Sequence, residues 1–141
     1  MTTARRLRTG DVLFAGSGET KEEIGKCVAF VDKFEAYAGG DSVILRPEEA
    51  DSLFLGYYLN TTRMALQKAS RGQGDAVVHI GSSALADIDV TLPPVEEQTT
   101  IASILMDMDA EIAVLKAKLA KARQLKQGMM QELLTGKTRL L

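Results

Sequence analysis

Leu92-Pro93-Pro94-Val95-Glu96-Glu97-Gln98 divides the chain into two parts of different pattern. Before it, apolar residues come in short runs broken by Gly, Asp and Ser. After it there is no proline, and Gly128 alone interrupts the segment before Gly136. Pro94 suits a helix start, and Glu96, Glu97 and Gln98 suit a first turn, where the helix dipole favours acid. Ile101, Leu105, Met108, Ile112, Leu115 and Leu119 then follow spacings of 4, 3, 4, 3 and 4. That is a heptad seam, and it predicts one long helix over 95–134 that pairs in a left-handed coiled coil. Ala122 and Lys126 loosen the register, and Met129 and Leu133 restore it. Such a helix is roughly 60 Å long. It cannot lie along its whole length on the residues that precede it, so a partner is expected.

The charges suggest how two copies would pair. From Glu96 to Glu111 there are five acids and no base, and from Lys116 to Lys126 five bases and no acid. Parallel helices would set like against like, whereas antiparallel helices set acid against base. The alternative is that the pattern only complements the helix dipole.

Working back toward the N-terminus, Asp11 to Ala15 reads as a strand entering the loop Gly16-Ser17-Gly18. Cys27 to Val31 and Ser42 to Arg46 read as further strands, with a turn over Tyr37 to Gly40. Ser52 to Lys68 has helical spacing, and Ser70 to Gly74 is a glycine loop. Ala76 to Ile80 reads as a strand, Ser82 to Leu85 as a helical turn, and Ile88 to Leu92 alternates as a half-buried strand does. Strands and helices intermix, which predicts an α+β fold with a small mixed sheet followed by one long C-terminal coiled-coil helix. The domains are expected at 1–92 and 93–141.

Composition narrows the function. At 141 residues with a formal charge of −2, the chain is no histone-like basic binder, although a local basic patch stays compatible with specific DNA recognition. One Cys and one His exclude an internal disulfide and a Cys/His zinc centre within one chain. No apolar run approaches the ~20 residues of a membrane span, and the basic start lacks an apolar signal core. A cytoplasmic protein is expected.

Catalytic patterns are sparse. Gly25-Lys26-Cys27 fails as a P-loop, because Thr20 stands where the first glycine is required. Leu92-Pro93-Pro94-Val95 lacks the Asp or Asn and the aromatic of a base-methylating turn. Asp11 with Glu19-Thr20-Lys21 is the best catalytic candidate, two carboxylates for Mg²⁺ and a lysine to polarise water, and solvated loop residues are the plainer reading. His79 and Cys27 read as structural. Arg63, Lys68, Arg71 and Gln73 cluster on one helix and the loop after it. Arg can bond guanine and Gln adenine in the major groove, and a solvated basic surface is the alternative.

Gly10-Asp11-Val12-Leu13-Phe14 with Gly16-Ser17-Gly18-Glu19-Thr20 resembles the strand and loop of specificity subunits of type I restriction-modification systems. Ala69 to Gly74, then Val78-His79-Ile80, resembles the glycine loop and following strand of their target recognition domain. Ile88 to Gln98 with Ile101 to Asp109 is similar to the domain's exit strand and the start of its conserved helix. Leu125 to Lys137, ending Leu133-Leu134-Thr135-Gly136-Lys137, is similar to the end of that helix.

The resemblance implies a non-catalytic subunit that recognises a half-site in double-stranded DNA and docks DNA methyltransferase subunits, with a restriction (motor-nuclease) subunit completing the complex. S-adenosylmethionine, ATP and Mg²⁺ are expected in those partners only, and no cofactor in this chain. Arg71 and Gln73 are the expected base or phosphate contacts, with Ser17, Thr20, Lys21, Arg63 and Lys68 on the DNA backbone. The homodimer interface is expected at Ile101, Leu105, Met108, Ile112, Leu115, Leu119, Met129 and Leu133. Against the family's half-subunit, several dozen residues before Leu7 are expected to be missing. Two other readings stay open: an assembly scaffold that pairs without binding DNA, and the Mg²⁺ nuclease through Asp11, Glu19 and Lys21.

Overall fold

The computed structural model describes residues 4–74 and 76–140. The elements in order are β1 (Arg5–Arg6), β2 (Val12–Ala15), β3 (Ser17–Gly18), β4 (Cys27–Ala29), β5 (Tyr37–Ala38) and β6 (Ser42–Leu45). Then come α1 (Ser52–Tyr58), α2 (Thr62–Ala69), β7 (Val78–His79), α3 (Ser82–Ala86) and α4 (Val95–Leu134). The α+β class and the long C-terminal helix are as expected. Two compact units result, Met1–Ala102 and Ser103–Leu141.

β2 is the centre of a three-stranded sheet between β4 and β6. Val12 pairs with Ala29 on one side and Leu45 on the other, and Phe14 with Cys27 and Val43. Val12 and Phe14 are buried while Ala15 is exposed, the alternation of a strand with one covered face. β1 pairs with β5, and β3 with β7. Every pairing among the described strands is antiparallel, so the expected mixed sheet is replaced by three small antiparallel ones.

The core gathers Val12, Phe14, Phe54, Leu55, Leu59, Met64 and Ala102. Ile24, Val78 and Ile80 form a second cluster. Asp51 caps α1, its carboxylate accepting from the Phe54 N–H at 2.8 Å. Gln98 is buried in the first unit. Its Oε1 accepts from the Asp51 N–H at 3.0 Å and its Nε2 donates to the Pro93 carbonyl at 2.7 Å. The glutamine of the dividing stretch therefore ties the start of α4 to the start of α1. These bonds, with buried Ala102, explain why the first unit ends inside α4.

Three expected elements differ. The helix expected from Ser52 to Lys68 is two helices, broken around Asn60-Thr61. Asn60 turns its amide to β4, donating to the Cys27 carbonyl at 2.7 Å and accepting from the Cys27 N–H at 3.0 Å, so its side chain competes with helix continuation. Tyr37–Ala38 is a strand, with the turn moved to Gly39 and Gly40. The strand expected at Ile88 to Leu92 is not formed. Ile88 and Leu92 pack on the core as the alternation implied, but the partner is a side chain: Gln67 bonds both the N–H and the carbonyl of Asp89 at 3.1 Å.

Within the second unit, Met108, Ile112, Leu115, Leu119 and Met129 are all about half exposed. Gly136, at φ +74, ends the helix, with bonds from its N–H to Leu133 and from the Thr138 N–H to Glu132.

Candidate nucleic-acid interface

β7 joins the two loops singled out in the sequence. Ser17 lies opposite His79 and Gly18 opposite Val78. On the other side, Gln73 and His79 exchange backbone bonds of 2.9 and 2.7 Å. The Gly16–Gly18 segment and the glycine loop are thus bonded into one ribbon, and Gln73 and His79 are both exposed on it. The glycines shape it. Gly74 sits at φ +113, where an added Cβ would stand 2.2 Å from the Val77 carbonyl oxygen. A Cβ on Gly72 would reach within 2.5 Å of Ile24 and 2.8 Å of Val78, so bare backbone is needed there for packing.

A carboxylate holds the ribbon from beside it. Asp41 accepts from Ser17, and its Oδ2 is 3.1 Å from Nδ1 of His79. The Ser17 hydrogen bond, then the bond and charge of His79, hold the Asp41 carboxyl below its ordinary value of 3.8, against a smaller opposing effect of burial. No local pattern signals this contact, since Asp41 and His79 lie far apart along the chain.

The other DNA-contact candidates divide. Thr20, Lys21 and Arg63 are exposed. Lys68 is corrected: only 2% of it is accessible, and its Nζ donates to the carbonyls of Gly25 and, at 2.8 Å, Leu59. It lies 6.0 Å from the Phe14 ring centre and serves the core, out of reach of a DNA phosphate. Burial pushes its ammonium below the ordinary 10.5 and the nearby Cys27 thiol above 9.0. Arg71 is half-buried. Its guanidinium donates to the Gln67 carbonyl at 3.1 Å and the Asp87 carbonyl at 2.6 Å, a strut between α2 and the end of α3.

The nuclease trio does not assemble a metal centre. Asp11 is 2% accessible. Its Oδ1 accepts from Arg46 Nε at 2.9 Å, and its Oδ2 from the Arg8 N–H at 2.8 Å and Arg46 Nη2 at 3.3 Å. Both oxygens are committed to the fold. No group of three or more metal-ligating side chains is gathered among the described residues.

The chain is thus an α+β domain with an exposed ribbon, followed in sequence by a long helix with apolar side chains uncovered. The chain belongs to the family described as the type I restriction modification DNA specificity domain, whose profile matches residues 4–124. It is 34% identical over 85 residues to the type I restriction enzyme MjaVIII specificity subunit of Methanocaldococcus jannaschii, covering 60% of this chain and 20% of that one. It is 31% identical over 136 residues to the putative MjaX specificity subunit of the same organism, covering 92% and 31%. Against the EcoKI specificity subunit of Escherichia coli K12 it is 26% identical over 136 residues, covering 94% and 29%. The chain thus spans about a fifth to a third of the length of these relatives. Specificity subunits of type I systems are non-catalytic. No described helix is long and apolar enough to cross a membrane.

Proposed function

We propose that this chain is a DNA-reading half of a type I specificity subunit. It recognises one half-site in double-stranded DNA through the ribbon, and a second copy, paired through α4, reads the other half. The observation that carries this reading is the exposed ribbon that unites Ser17 and Gln73 inside the stretch matched by the specificity family. Gln73 contacts a base edge, and Ser17, Thr20, Lys21 and Arg63 contact the backbone. Arg71 positions the loop and keeps guanidinium donors for the DNA, since an arginine carries five N–H groups.

The complex works in the cytoplasm with methyltransferase subunits and a restriction subunit, which bring S-adenosylmethionine, ATP and Mg²⁺, and this chain carries no cofactor. On a helical wheel of about 100° per residue, Met106 and Val114 fall well off the dimer seam. Both are exposed, and they offer a second apolar contact for the methyltransferase once the seam is paired.

Light scattering on the chain mixed with the methyltransferase subunit from the same source, followed by selection of bound duplexes from a random pool, tests this reading. Two copies in one assembly with an enriched split sequence are expected. Assembly without duplex affinity would leave a scaffold instead.

A further inference from the structure

A groove of about 870 Å³ lies on the first unit. Arg5, Arg6, Arg8, Lys33 and Arg46 line it, with Phe34 as an apolar wall. Five cations share it on a chain whose formal charge is −2, so the local field is opposite in sign to the whole. Glu35 is the carboxylate on the groove's lining and Asp11 lies buried beneath Arg46, and each is already engaged. Glu35 is 3.6 Å from Arg6 and accepts from the Tyr37 hydroxyl, and Asp11 is paired with Arg46. No ion pair among the described residues engages Arg5 or Lys33, and Arg8 reaches Asp11 through its backbone N–H and its charge.

The cations are held on framework. Arg5 and Arg6 are β1, paired to β5, and the Arg5 guanidinium donates to the Ser42 carbonyl. Arg46 follows β6 and also donates to the Arg6 carbonyl at 3.2 Å. Guanidinium groups on two segments, with the Lys33 ammonium on a third, suit a row of phosphates better than one small anion.

A chain of bonds links the groove to the ribbon. Ser42, which receives Arg5, is the neighbour of Asp41, which holds His79, which is bonded to Gln73. We infer that this groove grips the phosphodiester backbone of duplex DNA and registers the strand so that its bases meet Gln73. The inference rests on the DNA-reading proposal above and adds to it the site that supplies most of the affinity.

The test is the affinity of the full-length chain for a fluorescent duplex from about 50 to about 200 mM salt. Three proteins are compared: wild type, the double variant Arg8→Ala/Lys33→Ala, and Gln73→Ala. The double variant should lose about tenfold in affinity for every duplex sequence, and its log–log salt slope should flatten by about two. Gln73→Ala should keep the slope and relax sequence preference. A charge-keeping variant, Arg8→Lys/Lys33→Arg, should bind as wild type and guards against misfolding. Wild-type binding with an unchanged slope in the double variant would overturn the groove while leaving DNA reading intact. No binding by wild type would overturn both.

Discussion

Two buried ionic side chains carry more of this domain's stability than their types suggest. Asp11 is buried among donors, and an asparagine there keeps one acceptor oxygen but turns an NH2 donor on either the Arg46 guanidinium or the Arg8 N–H. Asp11→Asn should cost about 1–3 kcal/mol at neutral pH, read from urea midpoints. The sign of its pH dependence follows from its lowered carboxyl: burial raises it, and the bonds and charges of Arg46 and Arg8 together outweigh that. The stabilisation is fully present above the ordinary value of 3.8 and is lost as pH falls through the folded value. The gap between wild type and variant should therefore close in acid; a constant gap would mean the pair contributes nothing through its charge. Lys68→Met, which strands two buried carbonyls, should cost about 1–3 kcal/mol in the same assay. It should leave the salt slope of duplex binding untouched, because its ammonium faces Gly25 and Leu59. A flattened slope would return Lys68 to the DNA-contacting set.

At the scale of elements, the ribbon depends on backbone that only glycine supplies. Gly74→Ala forces a Cβ toward the Val77 carbonyl at a positive φ, and should cost at least about 1 kcal/mol while loosening the Gln73–His79 bridge. Faster amide exchange at His79, with the N–H of Val12 unaffected, is the expected signature; equal protection at both would show that the loop absorbs the side chain. How much of these elements was legible follows from the range of the forces. β2, α4 and the glycine loop were readable because near-neighbour spacing and turn chemistry decide them. β1 and β5 were not, since two-residue strands exist only through each other. Ile88 to Leu92 had the pattern of a strand, but Val90 is exposed and the hydrogen bonds of Asp89 go to Gln67, and no periodicity announces a side-chain partner. Among the candidate site residues, Ser17 and Gln73 stood out by type and position, and both lie on the ribbon. Lys68 was misplaced because a lysine near a basic cluster reads as surface, while its burial depends on carbonyls contributed by Gly25 and Leu59. The basic groove was missed for the same reason: Arg5, Lys33 and Arg46 are scattered in the chain and meet only after β1 pairs with β5.

At the scale of the whole molecule, the uncovered helix is the strongest demand for a partner. Met108, Ile112, Leu115 and Leu119 are between 46% and 55% exposed, and they repeat at heptad spacing over several turns. Surface this apolar and this regular is stable in water when a second helix covers it. The acid-rich first half and base-rich second half of α4 favour an antiparallel copy, in which each end faces its opposite. Replacing Ile112 and Leu115 with Asp tests both ideas together. The double variant should be monomeric by light scattering, because pairing would now bury charge. It should keep the duplex salt slope per chain, because the ribbon and groove belong to the first unit. What it should lose is preference for a split target, since one chain then reads one half-site. The direction of pairing has its own readout. A cysteine placed at Ile112, a seam position about midway between Glu97 and Lys126, should crosslink between copies under oxidation if the helices run antiparallel and cross there, in a background where Cys27 is Ser. Cysteines at Glu97 and Lys126 in separate chains should crosslink only with each other. Efficient Glu97-to-Glu97 crosslinking would establish parallel helices, and the charge pattern would then be complementing the helix dipole alone.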